Sequence, residues 1–177
     1  LQEIINNNKI EKIIASFKTP HVDKNNYRYS RQSGGSSLLD QGIYPISLIL
    51  ENFKINENSI VSSISNEKGL NIDTGGTLAC KSSTGVDIEI NWGLGYEYSN
   101  FVEVYTKDSI YKFEMFFSKP ENFETYYTVN YQSKTKLIKV GIFDQFKLMY
   151  QDLIINQKKY SYNSYDNLLS RYKFLRK

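Results

Sequence analysis

A chain of 177 residues with 22 basic against 19 acidic side chains, a net charge of +3, has room for one well-filled domain and is short for two. The single Cys80 excludes an internal disulfide and a CxxC metal site. No apolar run approaches the length of a membrane-spanning helix, and the basic residues are scattered rather than drawn into a stripe interleaved with aromatics. Neither a membrane nor a nucleic acid is therefore an expected partner. No signal peptide is visible, so the expected location is cytoplasmic. The chain opens Leu1-Gln2-Glu3 without a methionine, which reads either as the removal of something upstream or as a piece of a longer protein.

In chain order, Leu1, Ile4 and Ile5 predict the end of a helix stopped by Asn6-Asn7-Asn8. Lys12 to Phe17 reads as a strand, and Lys18 to Ser33 as a long irregular connection in which Tyr27 and Tyr29 bracket Arg28. Ser36 to Leu50 is helical in period, with Leu39, Ile43, Ile46, Ile49 and Leu50 three or four apart. Gly34-Gly35 gives its entry turn, Ser36 or Ser37 its cap, and Pro45 a bend or a restart.

Strands follow. Ser59 to Ser65 is short and ambiguous, whereas Gly76 to Lys81 and Val86 to Trp92 form a hairpin through Ser83-Thr84-Gly85. In the second of these, Val86, Ile88, Ile90 and Trp92 face one way and Asp87, Glu89 and Asn91 the other. That alternation belongs to a sheet with one covered face and one polar or partner-facing face. Asn100 to Tyr105 and Ser109 to Phe116 make a second hairpin through Lys107-Asp108, and Tyr126 to Asn130 and Thr135 to Val140 a third. Phe143 to Ile155 is an amphipathic helix with Phe143, Phe146, Tyr150 and Leu153 on one face, and Tyr165 to Phe174 a closing helix. The predicted fold class is α+β: one domain over 1–177, an open, predominantly antiparallel β-sheet with helices packed on one face.

The candidate chemistry centres on Asp40 and Tyr44, an i,i+4 pair on one helical face above a turn kept slim by Gly42. A carboxylate inside the apolar run LLDQGIYPI caps something, pairs with something or faces a site. A tyrosine beside a cation is a proton donor or acceptor at a sugar or alcohol oxygen; the bland alternative is a loop-binding Asp40 and a half-buried aromatic. Arg28 is either an anion or hydroxyl binder or a salt bridge fixing its loop, with Asp40 as one partner. His21 reads as a surface histidine and Cys80 as core. Trp92, Tyr96, Tyr98 and Asn100 border either a site or a sheet edge, and the 15 tyrosines fit carbohydrate stacking, a large interface or compositional drift equally.

Arg28, Gly34, Gly35, Leu39, Asp40, Gly42 and Tyr44, behind a helix Leu1 to Ile10 and a strand Ile13 to Phe17, resemble the start of the C-terminal domain of the Gfo/Idh/MocA oxidoreductases, the family of glucose–fructose oxidoreductase and inositol dehydrogenase. The motif is the tyrosine version of an aspartate–glycine–histidine or aspartate–glycine–tyrosine element. The resemblance implies a parent enzyme with an N-terminal Rossmann domain binding NAD or NADP, which this chain lacks; no cofactor is expected on the isolated domain. It implies Tyr44 as acid/base, Asp40 as the residue that orients the substrate or Tyr44, and Arg28, Tyr98 and Asn100 at the substrate. It further implies a carbohydrate-like substrate and a homodimer or tetramer built through the sheet face. Neither GxGxxG nor a glutamate–lysine–proline segment occurs, so the piece alone is expected to be inactive. The alternative is a non-catalytic binding or assembly module of the same fold.

Overall fold

The computed structural model describes residues 1–155. Eight strands form one sheet: β1 (Ile10–Thr19), β2 (Ile55–Ser65), β3 (Gly75–Ser82), β4 (Asp87–Leu94), β5 (Ser99–Thr106), β6 (Ser109–Glu114), β7 (Glu124–Tyr131) and β8 (Lys134–Ile142). Their order is β2-β3-β4-β1-β5-β6-β7-β8. Every neighbouring pair is antiparallel except β1 with β4. The sheet is open, and helix α2 (Ile43–Asn52) with the turn before it covers one face near the centre, so the α+β architecture agrees with the sequence. Helix α1 (Gln2–Asn7) precedes β1, its end held by Asn8 Nδ2 donating to the Ile4 carbonyl at 2.9 Å.

Strand alternation sorts the side chains into two faces. Cross-strand rows Ile13–Ile88–Val104 and Ala15–Ile90–Val102 lie on the covered face and are almost wholly buried. Burial of each large aliphatic side chain there contributes about 1.5–3 kcal/mol. The opposite face carries Lys12 paired with Glu89 at 2.7 Å and Lys112 paired with Glu114 at 2.9 Å. On the same face the Tyr105 hydroxyl donates to Glu103 at 2.7 Å. One face is core and the other is charged, as the alternation along β4 predicts.

The hairpins match their predicted turns. Ser82 Oγ accepts from Val86 N at 3.0 Å and Gly85 adopts a left-handed φ of 89°. Between β7 and β8, Gln132 and Ser133 both take positive φ, 48° and 62°, the geometry of a two-residue turn that follows the strand twist. Strand β1 is longer at both ends than expected, since pairing with β4 and β5 on its two sides extends it beyond its apolar residues. Strand β2 begins at Ile55, its pairing with β3 interrupted by a register shift between Asn56 and Val61.

The single helix expected over Ser36 to Leu50 is a five-residue π turn, Leu38–Gly42, followed by α2. Pro45 marks the restart: it has no N–H for an α-type bond, and the widened turn just upstream removes the demand for a regular ladder there. Helix α3 (Gln145–Ile155) forms where expected, but its apolar face is not buried: Phe146 is 63% exposed and Tyr150 61%. The predicted closing helix at Tyr165 to Phe174 lies outside the described residues.

Candidate active site

Where β1 ends at Thr19, residues 20–36 cross toward α2 through two short 3₁₀ turns, Tyr27–Tyr29 and Arg31–Ser33. Their donors are satisfied locally: Asn26 Oδ1 accepts from Arg28 N at 3.1 Å and Ser30 Oγ from Ser33 N at 3.3 Å. Gly34 turns the chain at φ 82°, and Gly35 N donates to the Ser30 carbonyl at 2.8 Å. A Cβ on Gly35 would collide with the Arg28 carbonyl, so the second glycine lets the chain close tightly over the arginine's backbone. Arg28 Nε then donates to Asp40 Oδ2 at 2.5 Å.

The π turn that carries Asp40 is capped from two sides. Ser36 Oγ accepts from Leu39 N at 3.2 Å, as the sequence suggests. Asp73, far along the chain, accepts from Leu38 N at 2.7 Å and from Ser37 Oγ at 2.6 Å. Gln41 is buried, and its Nε2 donates to Asp40 Oδ2 at 2.7 Å and to Thr19 Oγ1 at 3.2 Å. Gly42 lies against Trp92: a Cβ there would stand 3.1 Å from the indole and 3.0 Å from Leu38. The slim turn expected at Gly42 therefore exists to admit the Trp92 ring. Sequence reasoning missed Asp73 and Gln41; the one available signal for Gln41 was a second polar residue within an otherwise apolar run.

Tyr44 follows on the first turn of α2, 49% exposed, with its ring edge-on to Phe17 at 5.5 Å. The Arg28 guanidinium is held above its ordinary range chiefly by the hydrogen bond to Asp40, against a weaker opposing effect of burial; the Tyr27 and Tyr44 phenols add to it. The salt bridge weighed for Arg28 is therefore present.

The structure gives the Asn100 side chain partners within the protein. It is buried, and both sides of its amide are committed: Oδ1 accepts from Phe117 N at 2.8 Å, while Nδ2 donates to the Ser118 carbonyl at 2.6 Å and to Tyr98 Oη at 3.0 Å. Those bonds leave its amide N–H groups nothing to offer a substrate. Instead Asn100 braces the segment after β6, where Met115 takes a left-handed φ of 52° and Phe116 and Phe117 swing toward α2. Tyr98, half-exposed, joins this brace by donating to Met115 Sδ at 3.4 Å. Phe117 reaches Phe17 at 5.7 Å, which links the brace to Tyr44 through one aromatic row.

The other singled-out residues settle into structural places. Trp92 is core. Cys80 is buried, and burial pushes its thiol up to about 11, away from nucleophilic use. His21 is exposed, its Nδ1 3.1 Å from the Tyr29 hydroxyl. Among the described residues no group of three or more His, Cys, Asp or Glu is arranged to hold a metal ion. A cavity of about 510 Å³ opens beside Tyr44, walled by Ile43, Leu48, Phe116 and Phe117.

No family model matches the chain. The chain superimposes on KijD10, a 3-ketoreductase from Actinomadura kijaniata solved with NADP and TDP-benzene, with a TM-score of 0.76 at 20% identity, over 86% of this chain and 50% of that one. This is the fold of the C-terminal domain of Gfo/Idh/MocA oxidoreductases. The chain also superimposes on the UDP-N-acetylglucosamine 3-dehydrogenase GnnA of Acidithiobacillus ferrooxidans, with a TM-score of 0.58 at 10% identity over 81% of this chain and 42% of that one. Two curated relatives are similar in sequence, both dTDP-3,4-didehydro-2,6-dideoxy-alpha-D-glucose 3-reductases. That of A. kijaniata is 22% identical over 138 residues, 78% of this chain and 42% of the relative. That of Streptomyces antibioticus is 20% identical over 147 residues, 83% of this chain and 45% of the relative. The chain thus spans less than half the length of the curated relatives it matches.

Proposed function

We propose that this chain is the substrate-binding and oligomerisation domain of an NAD(P)-dependent oxidoreductase acting on a hydroxyl or carbonyl of a sugar, nucleotide sugar or cyclic polyol. The observation that carries the reading is the Arg28–Asp40 ion pair on the turn that leads into α2, whose first turn carries Tyr44 on the wall of a cavity of small-molecule size. The similarity to dTDP-sugar reductases points the same way.

In this reading the Tyr44 phenol donates its proton to the substrate carbonyl oxygen in reduction, and the phenolate takes it back from the hydroxyl in oxidation. Asp40 is held through Oδ2 by Arg28 and Gln41, while its Oδ1 has no protein partner among the described residues and is free to accept from a ligand hydroxyl. Tyr98 and Asn100 act at one remove, by positioning Phe117.

The described residues do not fit a dinucleotide. Gly34 and Gly35 do precede a helix, but Gly35 is closed over the Arg28 carbonyl rather than open to a pyrophosphate. NAD or NADP, with the hydride it supplies, is assigned to the rest of the parent protein.

The test is made on the full-length native gene product, following NADPH oxidation with a dTDP-linked keto-sugar. Tyr44→Phe is expected to lower turnover by roughly 10²-fold or more with an unchanged melting temperature. An unchanged rate removes Tyr44 from the mechanism. A native product that neither binds nor turns over a dinucleotide favours the assembly-module alternative.

A further inference from the structure

We propose that the cavity between the segment after β1 and the β2–β3 loop is a phosphate-binding site, with Lys24, Lys68 and His21 as its donors. It shares no residue with the Tyr44 cavity and does not depend on the reading above.

Two loops build the cavity. The segment after β1 contributes His21, Lys24 and Tyr29, and the β2–β3 loop contributes Glu67, Lys68 and Gly69. They enclose about 480 Å³, room for a phosphate and the first atoms of whatever carries it. Lys24 and Lys68 bring two ammonium groups against the single Glu67 carboxylate, so positive charge is in surplus before any ligand arrives. Neither lysine has a carboxylate partner among the described residues, whereas Lys12, Lys81, Lys112 and Lys139 are all paired. Leu70 separates this cavity from an adjoining one of about 400 Å³ that holds Arg31, likewise without an ion pair among the described residues. The carboxylate there, Asp73, is already occupied through Oδ2 by Ser37 Oγ and Leu38 N.

The cradle is also preformed. Tyr29 Oη stands 3.1 Å from His21 Nδ1 and accepts from Val22 N at 3.4 Å. Those contacts are best satisfied when the phenol gives its own proton to Nδ1, which makes Nε2 the N–H of the neutral ring. The ring is seated on Gly95, where a Cβ would stand 2.5 Å from it. Gly95 N is in turn tied to the Thr19 carbonyl at 2.8 Å, which fixes the histidine to the end of β1. In the β2–β3 loop, Gly69 takes a φ of 92° and Leu70 N donates to the Glu67 carbonyl at 3.1 Å, closing the turn that carries Lys68. Ammonium groups act as point charges with rotatable donors and suit a tetrahedral phosphate, whereas a planar carboxylate is matched by an arginine fork.

The experiment titrates the full-length native protein by calorimetry with inorganic phosphate, glucose 1-phosphate and glucose, ionic strength being held constant with chloride. At least one of the two phosphates is expected to bind with a dissociation constant of about 1 mM or below. Lys24→Gln and Lys68→Gln are each expected to weaken that binding about 10-fold, the loss of one charge-assisted hydrogen bond, with the melting temperature unchanged. Lys139→Gln makes the same charge change at a paired lysine and is expected to leave binding as it was. Equal binding of the two phosphates assigns the site to a free anion. Much tighter binding of glucose 1-phosphate, with glucose silent, assigns it to the phosphate of a phosphorylated ligand. Silence of both phosphates at about 10 mM overturns the proposal. Binding that survives Lys24→Gln and Lys68→Gln, or that Lys139→Gln weakens equally, overturns the assignment to this cavity.

Discussion

Asp40 Oδ2 receives Arg28 Nε and Gln41 Nε2, so the carboxylate is fixed from two directions before any ligand arrives. The side chains of Arg28 and Asp40 are only 32% and 30% exposed, which places their pair at the upper end of what surface ion pairs contribute. A double-mutant cycle of Arg28→Ala and Asp40→Ala, followed by urea unfolding, is expected to give a coupling of about 1 kcal/mol. On the open sheet face, Tyr105 has its phenol raised from 10.0 to about 12, first by its hydrogen bond to Glu103, then by burial and by the charges of Glu103 and Glu89. The unfolded chain ionises this tyrosine first, so its contribution is intact below the ordinary value and is lost as pH rises from there through about 12. Tyr105→Phe is expected to flatten that alkaline fall in stability, read from urea midpoints across the same range. At this scale Arg28, Asp40 and Tyr44 were legible because a glycine-bounded motif keeps them close in sequence. Asn100 was visible, but a pattern of residue types does not tell that its amide bonds to the backbone of Phe117 and Ser118. Asp73 was invisible because its partners lie more than thirty positions away.

Between Leu38 and Asn52 the chain passes from a π turn to an α-helix, and the passage is fitted around the Trp92 ring by Gly42. Gly42→Ala puts a methyl 3.1 Å from the indole and 3.0 Å from Leu38, so either the π turn or the tryptophan must yield. The expected loss is about 1–3 kcal/mol by urea unfolding, because cores resist added volume. Gly76, which packs still closer against the same ring and against the Ser63 carbonyl, is expected to tolerate alanine less well still. Asn100→Leu removes the partners of the Phe117 N–H and the Ser118 carbonyl, and is expected to cost about 1–3 kcal/mol while loosening Phe117. Hydrogen exchange at the Phe117 amide reads that loosening directly. The period of Ser36 to Leu50 predicted a helix correctly in kind and incompletely in form: a π turn preserves the apolar spacing while changing the backbone. Hairpins were legible because turn residues and two-residue alternation are local. The burial of α3 was not, because an amphipathic pattern names a face without naming what covers it.

At the scale of the molecule, the sheet has one face under α2 and one that is open, where ion pairs such as Lys12–Glu89 alternate with Ile14, Phe101 and Tyr105. The proposed homodimer or tetramer uses this open face, and Ile14→Glu is expected to leave the chain folded but monomeric in sedimentation velocity. A wild-type chain that sediments only as a monomer removes this face as an assembly surface. Strand order could not be read from the sequence, since β1 belongs between β4 and β5 and nothing local in Ile10–Thr19 announces it. That insertion has a consequence for synthesis. Strand β1 has no partner until residues 87–106 have left the ribosome, for its neighbours on both sides lie there. Until then its apolar side chains wait without a sheet to enter, and closure must gather segments far apart in sequence. A nascent chain arrested shortly after Ser82 should therefore be degraded readily by protease, whereas one arrested well beyond Thr106 should resist, the boundary falling where the second neighbour of β1 emerges.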